Sequence, residues 1–168
     1  MRINPYAVWL AICVLLLGCS QAPPPDVRVR NIGETVMAGA VAYEVTDAAW
    51  LDTLPAGNTP RLPKDSFLSI RLRIHNQSGR EAVLPFLSVV DQAGNAMLET
   101  ADGVIPGWLG MLRNVAVGET IEGQILFDVK PGAYNLRITD GGEEAIEKTA
   151  LIAIPVPMPG ANTMPPRR

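Results

Sequence analysis

The chain is poor in the side chains that usually carry chemistry. Its 168 residues include one histidine and two cysteines, and aromatic residues make up 5%. One histidine leaves little for zinc or copper ligation, which uses clustered imidazoles and thiolates. Charge of one sign is scarce too. Fourteen Lys and Arg stand against 17 Asp and Glu, a net charge of −3. That balance excludes a nucleic-acid binder, which needs cationic surface to neutralise phosphates. What is plentiful is Gly and Pro, 15 of each, beside a 48% apolar content. The chain can build a core, but not one of long helices.

The apolar run Ala7–Leu17 (AVWLAICVLLL) is 11 residues long. A membrane-crossing helix needs about 20. Eleven suits the apolar centre of a secretory signal, here preceded by one basic residue, Arg2. The run closes on Leu16-Leu17-Gly18-Cys19. This resembles the bacterial lipobox: an aliphatic residue, a small residue, then the cysteine that receives a diacylglyceryl group. The resemblance implies cleavage between Gly18 and Cys19, a signal peptide over 1–18, and acyl chains such as palmitate on Cys19. Two or more acyl chains anchor durably, at about 0.8 kcal/mol per buried methylene. The partner it implies is a membrane. Ser20, rather than Asp, follows the cysteine, which by the enterobacterial rule implies the outer membrane. Cys13 lies inside the removed segment, so no thiol is left for a disulfide.

Residues 19–26 then form a lipidated cysteine and a Pro-rich tether, with Pro23-Pro24-Pro25 favouring an extended polyproline path. The stretch 155–168 is a second Pro-rich segment, expected to be a disordered tail. Between them, over 27–154, the apolar period is two. Leu68, Ile70, Leu72 and Ile74 alternate with Ser69, Arg71, Arg73 and His75. Ile121–Val129 and Tyr134–Thr139 alternate likewise. Ala40–Val45, Phe86–Val90 and Ala145–Ile154 are further strands, and Asp47–Leu54 has room for one helical turn. Asp91–Asn95 reads as a hairpin connection, as does Gly141-Gly142. Gly33-Glu34-Thr35 and Gly118-Glu119-Thr120 each open an extended run. Seven or eight short strands predict an all-β fold, an immunoglobulin-like antiparallel β-sandwich, with a small barrel as the alternative.

The order of these pieces resembles the telokin-like, immunoglobulin-fold domain of unknown function found in bacterial secreted lipoproteins. The match lies in the Gly33 entry, the Asn76–Gly79 turn, Asp91 to Gly94, and Gly118–Val129. The resemblance implies a fold and an envelope habitat, and no catalytic residues. A second resemblance is to small secreted β-sandwich proteinase inhibitors, through the same turns and Pro131–Tyr134. The Trp expected after the Asp91 hairpin is absent, with Ala96-Met97-Leu98 in its place.

No catalytic constellation stands out, and no metal or other cofactor is expected. A calcium role for Asp140 and Glu143 lacks the ligand spacing of a dedicated loop. Arg71, Arg73 and His75 form a stripe that is either a cationic surface for an anionic partner or a solvated sheet face. The segment to single out is Gly103–Leu112 (GVIPGWLGML). Val104, Ile105, Trp108 and Leu109 either cap the open end of the sandwich or offer an apolar patch to a partner, such as another envelope protein. The loop around Trp50, Leu51 and Leu54 raises the same question. The reading from sequence is a lipid-anchored, non-enzymatic envelope protein, with the inhibitor-like module as the alternative.

Overall fold

A computed structural model describes residues 28–55, 59–100, 105–110, 113–142 and 147–156. The signal segment, Gly18, Cys19, the tether, Val104, Glu143 and the tail beyond 156 lie outside them. The described residues are all-β, as the alternation predicts. Eleven strands replace the expected seven or eight, because three of them are only two residues long. They are β1 (Val29–Arg30), β2 (Thr35–Ala38), β3 (Val41–Leu51), β4 (Phe67–Asn76), β5 (Ala82–Val83), β6 (Ser88–Val90), β7 (Ala96–Leu98), β8 (Asn114–Val115), β9 (Thr120–Asp128), β10 (Tyr134–Thr139) and β11 (Thr149–Ile154).

One sheet has the order β1-β11-β10-β6-β7 and the other β2-β3-β4-β9, with a β5-β8 ribbon beside them. All pairs are antiparallel except β1 with β11, which run parallel with Val29 opposite Leu151. Period-two burial of Leu68, Ile70, Leu72 and Ile74 against Ile125, Phe127, Leu136, Ile138 and Ile152 fills the space between the sheets. No helical turn forms at Asp47–Leu54. Residues 47–51 continue β3 after a bulge between Val45 and Asp47. Trp50 thereby enters the core, 6.1 Å from the Tyr134 ring, and its indole N–H donates to Pro155 O at 3.2 Å. Tertiary burial overrides the weak local signal there.

The two Gly-Glu-Thr entries are one device used twice. Glu34 N donates to Asn31 O and Glu119 N to Ala116 O, both at 3.1 Å. Each glutamate carboxylate turns back to accept the backbone N–H three residues earlier, at 2.9 Å from Asn31 and 2.7 Å from Ala116. Gly33 (φ 86°) and Gly118 (φ 71°) occupy the left-handed position that the turn requires.

The hairpin at Asp91 forms as expected between β6 and β7. Asp91 Oδ1 accepts from the N–H groups of Ala93 and Asn95, at 2.9 and 2.8 Å. The Asn95 side chain leads the forces that hold the Asp91 carboxyl below its ordinary value of 3.8, followed by Asn95 N–H. Glu34 is likewise lowered from 4.5, first by the Asn31 N–H. A carboxyl with a depressed folded-state pKa adds stability above its unfolded pKa and loses it as pH falls through the folded one. Stability is therefore expected to be level at neutral pH and to decline below about pH 4. Urea unfolding at pH 7 and at pH 3 checks this, and Asp91→Asn should flatten the decline.

Asn76 ends β4 fully buried and fully bonded. Its side-chain N–H₂ donates to the carbonyls of Arg80, Val115 and Ala116 at 2.8, 2.9 and 3.1 Å. Its Oδ1 accepts from Ser78 N and Ser78 Oγ. Asn76→Ala removes these five side-chain hydrogen bonds from a fully buried position and should cost about 2 kcal/mol. Asn76→Asp should be no better, because a carboxylate faces carbonyls that need a donor. Urea midpoints of both variants test this.

Candidate functional site

The segment around Trp108 covers an edge. Gln124, in the middle of β9, donates its backbone N–H to Gly107 O at 2.7 Å and accepts Leu109 N–H at 3.0 Å. Thr100 N–H donates to Leu126 O at 2.7 Å further along the same strand. The hydrogen-bonding edge of β9 is thus occupied by the chain itself, which blocks edge-to-edge pairing. The Gln124 side chain adds a tie, donating to Pro106 O at 2.9 Å and accepting from Ser69 Oγ at 2.8 Å.

Successive side chains of this cover go to opposite sides. Ile105, buried, joins Phe67, Leu126 and Leu54 in a second cluster, with Leu51 and Trp108 packed on it. This cluster lies on the outer face of the β2-β3-β4-β9 sheet, since Phe67 and Leu126 share the face opposite Leu68 and Phe127. It explains why both faces of the first half of β4 are buried. Leu109 goes the other way, onto the main core. There it stands over Gly123, where an added Cβ would meet Leu109 Cδ2 at 2.5 Å and Gly107 O at 2.8 Å. Glycine is required at 123 by this close approach rather than by its backbone angles.

Two expectations are corrected here. The described part of the segment, 105–110, closes a sheet edge and part of the outer face rather than the open end of the sandwich. Nor does it offer an apolar patch at Ile105, which is only 7% exposed. Trp108 and Leu109 are partly buried, and the exposed tip is Pro106-Gly107. The indole N–H of Trp108 is itself buried, with no acceptor among the described residues. The loop carrying Leu51 and Leu54 does meet this segment, around Phe67.

A buried ion pair holds the base of this cover, and sequence reading misses it. Glu99 and Arg113 are almost wholly inaccessible and bond through both carboxylate oxygens, Nη1 to Oε1 at 2.9 Å and Nη2 to Oε2. Arg113 Nε also donates to Gly110 O at 2.7 Å, and Glu99 Oε1 accepts Leu87 N–H at 2.7 Å. The guanidinium carbon also lies over the Phe86 ring, 5.3 Å from its centroid. A bidentate pair with its remaining groups satisfied is the form in which burial of two charges is tolerable. Its residues flank 100–112, so the pair joins the two ends of the covering segment.

Of the Arg71–His75 stripe, Arg73 is neutralised by carboxylates on both sides. Arg73 bridges Glu44 on β3 and Glu122 on β9, at 3.0 and 2.7 Å. His75 Nδ1 stands 2.9 Å from Thr120 Oγ1 and 3.2 Å from Glu119 O. Paired in this way, Arg73 gives the face no surplus positive charge. Asp140 Oδ1 is likewise taken by the N–H groups of Gly142 and Lys148, at 3.2 and 3.1 Å.

A second feature unforeseen from sequence is a cleft of about 420 Å³ between the β2–β3 turn and the chain at 78–85. Tyr43 lines it from the core side, only 2% exposed. Burial pushes its hydroxyl up to about 12, with Arg113 opposing and Asp140 adding to the shift. The hydroxyl therefore stays protonated, and it makes no hydrogen bond to a described residue. Arg80, Glu81 and Asp140 line the cleft as well, and the Arg80 guanidinium has no partner among the described residues.

No family model matches this chain, and no curated protein does. Solved structures do share its fold. The yjhA protein of Bacillus subtilis superposes with a TM-score of 0.56 at 16% identity, over 74% of this chain and 99% of that one. A functionally unknown protein of Listeria monocytogenes gives 0.55 at 12% identity, over 74% and 82%. A candidate lipoprotein of Bacillus subtilis, ycdA, gives 0.53 at 16% identity, over 71% of this chain and 38% of that one. At these identities the likeness is one of fold alone.

Proposed function

We propose that this chain is a lipid-anchored lipoprotein of the bacterial cell envelope, carrying a non-enzymatic sandwich of the telokin-like, immunoglobulin type that serves as a protein-binding or structural module. The carrying observation is Leu16-Leu17-Gly18-Cys19 at the close of an apolar run too short to span a bilayer. The first strand follows at Val29, after a Pro-rich stretch. A fold shared with a candidate lipoprotein supports the same reading. The non-enzymatic part is supported by the use of His75, whose Nδ1 meets the Thr120 hydroxyl and a backbone carbonyl, with no carboxylate bonded to the ring among the described residues. Ser20 after the cysteine favours the outer membrane.

The test is metabolic labelling of the full chain with radioactive palmitate in a bacterial host. Native protein should take up label and sediment with membranes. Cys19→Ser should lose all label. Equal labelling of both would refute the assignment of Cys19.

A further inference from the structure

The cleft lined by Tyr43 has a defined place relative to where the chain enters the fold. Because β1 runs parallel to β11, with Val29 opposite Leu151, the chain enters at the end where β11 begins. That end carries the β10–β11 turn, where Asp140 N–H donates to Lys148 O. Asp140 also leans on the β2–β3 turn: a Cβ added to Gly39 would lie 3.1 Å from Asp140 Cβ. Gly39, Asp140 and Arg80 all line the cleft, so it opens at the end where the chain enters. On the lipid-anchor reading above, nine residue steps separate Cys19 from Arg28, a reach of about 30 Å at full extension. The opposite end, with Trp50, Phe67 and Leu62, points away.

The lining combines both signs of charge with an uncommitted donor. Among the described residues Arg80 has no ion-pair partner, and the hydroxyl of Tyr43, a residue only 2% exposed, makes no hydrogen bond. Glu81 is an exposed carboxylate, and Asp140 turns one oxygen toward its own turn and the other toward Gly39. A purely anionic ligand would meet two carboxylates, and a purely cationic one would meet Arg80. A ligand with a phosphate and an ammonium a few bonds apart satisfies all of them, because guanidinium and phenol both donate to phosphate oxygens. The volume is within the range of small-ligand sites, about 300–1,000 Å³.

We propose that this cleft binds the zwitterionic headgroup of a membrane phospholipid of the phosphoethanolamine type, with the phosphate on Arg80 and Tyr43 and the ammonium between Glu81 and Asp140. This rests on the lipid-anchor reading for its source of ligand. Binding would hold the domain with its entry end against the bilayer.

The experiment is calorimetric titration of the full-length lipidated protein, purified in a non-ionic maltoside detergent, with glycerophosphoethanolamine as a soluble headgroup. Native protein should show saturable binding. Arg80→Ala and Tyr43→Phe should each weaken it at least tenfold, while keeping the native urea midpoint. Glu81→Gln with Asp140→Asn should shift the preference toward the anionic glycerophosphoglycerol. In nanodiscs, a fluorophore at position 79 should be quenched by headgroup-labelled lipid, and one at position 62 should not. No saturable binding, an Arg80→Ala affinity equal to native, or equal binding of inorganic phosphate would each overturn the proposal. The intact mass of the same sample keeps the two readings apart: the anchor stands or falls with lipid on Cys19, the cleft with the titration.

Discussion

Replacing Arg113 by Met is expected to cost about 3–5 kcal/mol, the largest loss from any single side chain in this fold. The reason is the carboxylate left behind. Glu99 is wholly inaccessible and would keep only the Leu87 N–H as a charge-compensating donor. A buried charge stripped of its partner bears most of its desolvation cost. The midpoint of thermal unfolding should fall by roughly 10–20 °C. Glu99→Leu with Arg113→Met should recover much of this, since two apolar groups impose no charge. Recovery should stop short of native, because Leu87 N–H and Gly110 O lose their partners. A double variant as unstable as the single would show that the pair is not the unit that matters.

Gly123→Val should be the next most damaging change, at about 3 kcal/mol, the upper part of the range for overpacking. The added carbon meets two obstacles of different kinds. Leu109 Cδ2, at 2.5 Å, can move; Gly107 O, at 2.8 Å, is backbone already bonded to Gln124 N–H. Leu109→Ala alone should cost less, by loss of burial. Combined with Gly123→Val, it should relieve part of the clash, so the double variant is expected to be more stable than the sum of the singles implies. Hydrogen exchange should locate the damage: the Gln124 and Leu109 amides should lose protection ahead of the β10–β11 pair. Uniform loss across both sheets would contradict the view of 105–110 as a separately attached cover.

The sequence makes the alternating strands legible because one face of each is solvated and the other is not. Leu68–Ile74, the Asp91 hairpin and the twin glycine turns are all local in origin, each written within a few residues. What escapes is non-local. Glu99 and Arg113 look like surface residues, since isolated charges are almost never buried without a partner, and their pairing spans a loop. Asp47–Leu51 resists assignment because its fate is decided by Phe67–Arg71 across the sheet. The apolar content of 103–112 is visible, but whether its side chains face inward depends on Gly123, Leu54 and Phe67. Tyr43, Arg80 and Asp140 come from three separate segments, and nothing in their spacing announces a cleft.

The most direct test of the envelope assignment is the intact mass of the protein recovered from the membrane fraction of cells expressing the full chain. The expected mass is that of residues 19–168 plus a diacylglyceryl group and, where the host adds it, one further acyl chain. An unmodified mass, or a mature end at any residue other than Cys19, would contradict it.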